Sequence, residues 1–121
     1  MKKVLVVDDS PTVRQQVVRA LLDSGLEVVE AGDGIEGISL LESDADIAMV
    51  ILDINMPRMN GLEMLDKIKL GHRGANLPVV MLTSEGQRSM IERAKQAGAK
   101  GWIVKPFKPE LLLGAVRKVM A

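Results

Sequence analysis

An apolar run of six residues, Ile47 to Leu52, stops at Asp53, and the turn-forming pair Met56-Pro57 follows. A short aliphatic run closed by turn residues predicts a strand covered on both faces. Such a strand belongs in the middle of a parallel sheet with helices on either side. Asp53 then stands at its carboxyl end, where open parallel sheets bind their ligands. Aspartate is also an ordinary turn residue at a strand exit, so Asp53 alone carries little weight. Its weight comes from what ends the other strands.

The same pattern recurs along the chain. Val4 to Val7 predict a first strand cut off by Asp8-Asp9, and Ser10-Pro11 supply an N-cap and a first-turn proline for a helix. That helix keeps Val13, Val17, Val18 and Leu21 on one face and stops near Gly25. Leu26 to Ala31, with two glutamates inside it, predict a weaker strand at a sheet edge. Gly32-Asp33-Gly34 turn the chain into a short helix marked by Ile35, Ile38 and Leu41. Beyond Gly61, Leu62, Leu65 and Ile68 mark a third helix ending around Gly71. Pro78 opens a fourth strand, Val79 to Leu82, which terminates in Thr83-Ser84-Glu85. A fourth helix runs from about Gln87 to Ala97 and is closed by Gly98. Gly101 to Val104 form a short fifth strand holding the only Trp, and it ends at Lys105-Pro106-Phe107. The last helix begins near Pro109, with Leu112, Ala115, Val116 and Val119 inward.

Five strands alternating with five helices predict an α/β fold with a parallel sheet. The first, third and fourth strands are the most continuously apolar and belong in the centre. The order 2-1-3-4-5, the flavodoxin-like doubly wound arrangement, satisfies this with right-handed crossovers. The ends of the first and third strands then flank the switch point, so Asp8, Asp9 and Asp53 arrive together. A length of 121 residues suits a single domain spanning residues 1–121, and neither a repeat nor a linker divides it. Sixteen basic residues balance sixteen acidic ones without a basic run, which argues against binding nucleic acid by charge alone. The absence of cysteine excludes thiol chemistry and disulfides. No apolar stretch is long enough for a signal peptide or a membrane span, so a cytoplasmic protein is expected. An aromatic content of 2% requires an aliphatic core, in which the eight Met residues act as gap fillers. His72, in a polar loop, reads as a surface residue.

Three carboxylates in one crevice repel one another unless a cation binds. An all-oxygen site with room for water suits Mg²⁺, and the absence of His and Cys within reach argues against zinc. Lys105 ends the fifth strand and brings an ammonium to the same crevice, while Thr83 ends the fourth and brings a hydroxyl. Carboxylate, metal, ammonium and hydroxyl together are the parts that stabilise a phosphoryl group transferring to an aspartate.

Those residues carry a resemblance. Val7-Asp8-Asp9-Ser10, Leu52-Asp53-Ile54-Asn55-Met56-Pro57, Gly61-Leu62-Glu63, Leu82-Thr83-Ser84 and Val104-Lys105-Pro106-Phe107 resemble the receiver domains of two-component response regulators, over essentially the whole chain. The resemblance implies that Asp53 is the phosphoryl acceptor and that Asp9, Asp53 and the Asn55 carbonyl hold Mg²⁺, with Asp8 acting through water. It implies that Thr83 bonds a phosphoryl oxygen, that Lys105 contacts the phosphoryl group, and that the Lys105-Pro106 peptide is cis. Asn55 and Glu85 would tune the access of water to the aspartyl phosphate. The implied partners are a histidine kinase as phosphodonor and a downstream protein that reads the surface of the fourth helix, fifth strand and fifth helix. The residues Asn55-Met56-Pro57, Thr83-Ser84-Glu85 and Gln96-Ala97-Gly98-Ala99 are most similar to single-domain chemotaxis regulators, which implies a flagellar motor switch as target and no effector domain after Ala121. A phosphorelay intermediate, or a stand-alone receiver regulating another protein, would look much the same. Catalysis would be confined to the domain's own phosphorylation and dephosphorylation.

One position departs from the family. Receivers commonly place Tyr or Phe three residues before the strand-end Lys, and here that residue is Trp102. A larger ring whose N–H needs a partner if buried either stays outward or anchors a partner protein. Two other readings compete with the switch. A phosphatase of the haloacid-dehalogenase type also forms an aspartyl phosphate, but it would place a second Asp where Asn55 stands. A flavin or nucleotide binder would need a glycine-rich phosphate loop after a strand, and none follows.

Overall fold

The computed structural model describes residues 2–56, 59–71, 76–84 and 88–120. Its elements alternate along the chain as β1 (Lys3–Val7), α1 (Pro11–Asp23), β2 (Glu27–Ala31), α2 (Gly34–Ser43), β3 (Ile47–Asp53), α3 (Gly61–Leu70), β4 (Val79–Ser84), α4 (Arg88–Gln96), β5 (Gly101–Lys105) and α5 (Pro109–Met120). The five strands form one parallel sheet in the order β2-β1-β3-β4-β5, as the hydrophobic pattern predicts.

Side chains alternate across each strand, so one sheet builds two cores. Leu5, Val7, Val50, Leu52, Val79 and Met81 face α2, α3 and α4, and they pack with Leu41, Met64, Leu65 and Ala94. Val4, Val6, Met49, Ile51, Val80, Leu82 and Ile103 face α1 and α5, and they pack with Val17, Leu21, Leu112 and Val116. Every side chain of β3 from Met49 to Leu52 is fully buried, which is why that strand reads as an unbroken apolar run.

The helix ends follow local chemistry. Ser10 caps α1 by accepting the Val13 N–H, with Pro11 as the first helical residue. Asn60 and Glu63 form a reciprocal capping box at α3. Gly25 and Gly98 adopt the positive φ values that close α1 and α4. One expectation shifts: Ile35 is half exposed, and α2 instead buries Gly34, Gly37 and Leu41. Leu26 lies just before β2, and Lys3 extends β1 by one residue. Among the described residues, no helix is long and apolar enough to cross a membrane. Residue His72 lies outside the described residues.

Candidate functional site

The strand alternation also explains how the polar residues converge. Asp8 follows Val6 by two positions, Asp53 follows Ile51 and Lys105 follows Ile103, so all three continue the α1/α5 face at the carboxyl edge of the sheet. Lys105 Nζ lies 3.0 Å from Asp53 Oδ1 and 3.2 Å from Asp8 Oδ2. The ammonium thus bridges two carboxylates, of which Asp8 is fully buried and Asp53 nearly so. Asp9 completes the cluster from an exposed position, and one carboxylate oxygen from each of the three lies within 4.8 Å of the others.

Asp8 is held from a second side, because its Oδ1 accepts the Ser10 N–H at 2.9 Å. The Asn55 N–H points to Asp53 Oδ1 at 3.4 Å, while the Asn55 side chain is exposed. Just beyond, the Ile54 N–H donates to the Leu82 carbonyl at 3.1 Å, and the Gly61 N–H returns to the Ile54 carbonyl at 2.8 Å. A side chain at Gly61 would put its Cβ 2.7 Å from Ile54 Cα, so only glycine lets α3 start this close to the strand end.

Burial is the largest influence on Asp53 and disfavours its charge; the neighbouring Asp8 adds to this, while Lys105 and the Asn55 N–H oppose it. The net result is a carboxyl pushed up to about 6. Burial works against the Lys105 charge, but Asp53 and Asp8 outweigh it and hold the ammonium above the ordinary lysine range. Among the described residues, Lys105 is the one cation ion-paired with this cluster of three carboxylates. A divalent cation with oxygen ligands would relieve that imbalance, and the donor set fits Mg²⁺ rather than a softer metal.

Thr83 follows Leu82, the residue that pairs with Asp53 in the sheet. It is fully buried, and its hydroxyl finds no hydrogen-bond partner among the described residues. A buried hydroxyl without a partner is costly, which marks Thr83 as a group waiting for an acceptor. Trp102 is 41% exposed on β5, and Lys95 Nζ of α4 lies 4.4 Å from its ring centroid. The ring is outward here. The Lys105-Pro106 peptide is cis. Glu85 lies outside the described residues.

Sequence reasoning passed over Arg14, whose Nη1 donates to the Asp8 carbonyl at 2.6 Å and whose Nε donates to Glu30 at 3.1 Å. Its partners lie six residues before it and sixteen after it, pairings that no local sequence pattern announces.

The sequence signature of the response regulator receiver domain matches residues 4–117. This chain belongs to the receiver-domain family. Among its relatives, the chemotaxis protein CheY1 of Helicobacter pylori strain J99 is 41% identical over 111 residues, covering 91% of this chain and 90% of that one. Among solved structures, the chemotaxis protein CheY4 of Vibrio cholerae superimposes with a TM-score of 0.91 at 39% identity, covering 98% of both chains. The receiver domain of NtrX from Brucella abortus gives a TM-score of 0.92 at 34% identity, again over 98% of both. This receiver therefore shares its fold with a chemotaxis protein and with a receiver of another name. The likeness to CheY proteins suggests chemotaxis signalling.

Proposed function

We propose that this receiver is a phosphorylation-driven switch in which Asp53 accepts a phosphoryl group from the phosphohistidine of a histidine kinase. An Asp53 carboxylate oxygen attacks phosphorus, the P–N bond breaks, and its electron pair leaves with the histidine. The observation that carries this reading is the nearly buried Asp53 carboxylate, which shares Lys105 with Asp8 at the mouth of the sheet.

Each neighbour has a task. Lys105 is a point charge that follows the phosphoryl oxygens as negative charge accumulates there. Asp9, Asp53 and the Asn55 carbonyl would hold Mg²⁺, with Asp8 in support through water. When bound, the ion neutralises carboxylate repulsion and polarises the phosphoryl oxygens. The Thr83 hydroxyl would donate to a phosphoryl oxygen and so gain the partner it lacks. Asn55 and Glu85 would govern how readily water reaches the aspartyl phosphate. Hydrolysis of its own phosphate is the only turnover proposed.

The output surface is proposed on α4, β5 and α5. Met90, Trp102, Val104 and Leu111 expose apolar area on these successive elements, with Trp102 as the aromatic anchor. The proposed working unit is the receiver domain, acting in the cytoplasm. Its similarity to CheY proteins supports a chemotaxis output such as the flagellar motor switch. A phosphorelay role, or control of another protein, uses the same chemistry.

Intact-mass measurement after incubation with acetyl phosphate tests the reading. Wild type should gain one phosphoryl group in Mg²⁺, and neither the EDTA-treated protein nor Asp53→Asn should. A wild-type chain that stays unmodified in Mg²⁺ would end the switch reading.

A further inference from the structure

Asp9 is the exposed member of the carboxylate cluster, and no side-chain hydrogen bond or ion pair holds it among the described residues. Its place beside Asp8 and Asp53 depends on where the backbone leaves β1. That exit is gripped by Arg14. One guanidinium N–H donates to the carbonyl of Asp8, the peptide group that leads directly into Asp9, at 2.6 Å. The Nε–H of the same group donates to Glu30 Oε1 near the end of β2 at 3.1 Å. The planar fork of α1 thus ties together the carboxyl ends of two adjacent strands. The Glu30 arm is half exposed and worth little to stability by itself. The arm to the Asp8 carbonyl is a short, charge-assisted bond to main chain beside the cluster.

We infer that Arg14 is a positioning residue for divalent-cation binding, setting the Asp9 carboxylate through the Asp8–Asp9 peptide. The inference rests on the proposed metal-dependent function. Simple electrostatics makes the opposite claim. A guanidinium beside an acidic crevice repels an incoming cation, so removing its charge would tighten binding. Positioning requires that removing it weaken binding. The sign of the effect separates the two.

The experiment is calorimetric titration of Mg²⁺ alone into the full chain for wild type, Arg14→Met and Arg14→Lys, with Asp53→Asn as the reference lacking a ligand. Circular dichroism in EDTA checks that each variant folds. Outer partners of metal ligands are worth about tenfold or more in affinity, so Arg14→Met should weaken Mg²⁺ binding about tenfold. Arg14→Lys keeps the charge but loses the fork, and should weaken binding by a smaller, measurable factor. Unchanged or tighter binding by Arg14→Met overturns the inference. If Arg14→Met does not fold, Arg14→Lys decides: weaker binding supports positioning, and wild-type affinity overturns it. A wild type that shows no Mg²⁺ response overturns the metal-dependent function itself, and this inference with it.

Discussion

The raised Asp53 carboxyl makes a quantitative prediction for Asp53→Asn. Its ordinary value is 3.8 and in the folded protein it is about 6, so the fold prefers the neutral acid. Well below pH 4 both folded and unfolded chains carry the proton and the site costs nothing. Between the two values the unfolded chain releases the proton while the folded one keeps it, so stability falls as pH rises. Above pH 6 both are ionised and the loss levels off at about 3 kcal/mol, from roughly two pH units at 1.4 kcal/mol each. That figure already includes the opposing pull of Lys105, since the shift is a net one. Asparagine keeps the shape and carries no charge, so the variant escapes the loss. Its stability advantage over wild type should therefore grow by about 2 kcal/mol between pH 4.5 and pH 7.5, most of the full span. Urea denaturation in EDTA at both pH values measures this, and titrating groups not coupled to Asp53 cancel in the difference. Mg²⁺ should shrink the advantage at pH 7.5 by stabilising wild type alone. An advantage that stays constant with pH, or one that narrows as pH rises, would refute the argument that burial and Asp8 destabilise the Asp53 charge.

Other perturbations separate further parts of the site. Lys105→Met leaves Asp8 and Asp53 buried without their shared cation, and should cost about 2–4 kcal/mol at pH 7.5 by urea denaturation in EDTA. Gly61→Ala forces a methyl group against the Ile54 backbone and should cost about 2 kcal/mol or more, again by urea denaturation. Thr83→Val removes a buried hydroxyl that has no partner, so stability should hold or rise by up to about 1 kcal/mol, while the fluorescence response to the phosphoryl mimic beryllofluoride is lost. Lys95→Ala removes the cation over Trp102 and should change the Trp emission spectrum with a stability change under about 1 kcal/mol.

The strand order and the crevice were legible because each central strand is an apolar run with a sharp polar end. Asp8, Asp53, Thr83 and Lys105 mark those ends, and period-two alternation sends three of them to one side. Period-3.6 reasoning did less well on α2. It favours Ile35 because it weighs greasiness, whereas the sheet surface there demands smallness. A Cβ at Gly37 would lie 2.7 Å from Met64 Cε and 3.1 Å from Val7 Cγ2, so the glycine face packs inward and Ile35 is turned out. The grips on the site were harder to read. Arg14 meets partners six residues before it and sixteen after it, and Lys95 meets Trp102 across the α4–β5 connection. Such pairings exist only once the topology has folded the chain, and no local pattern announces them.

The bond from the Gly61 N–H back to the Ile54 carbonyl pins the start of α3 to the residue that follows Asp53. With the Ile54 N–H bonded to the Leu82 carbonyl as well, the backbone just beyond Asp53 behaves as an anvil, held from two sides. Under the proposed phosphorylation of Asp53, the neighbouring strand end at Thr83, whose buried hydroxyl lacks a partner, would be the group left to respond. Information would leave this molecule sideways, from the struck surface to its neighbour, rather than along the strand that receives the phosphate.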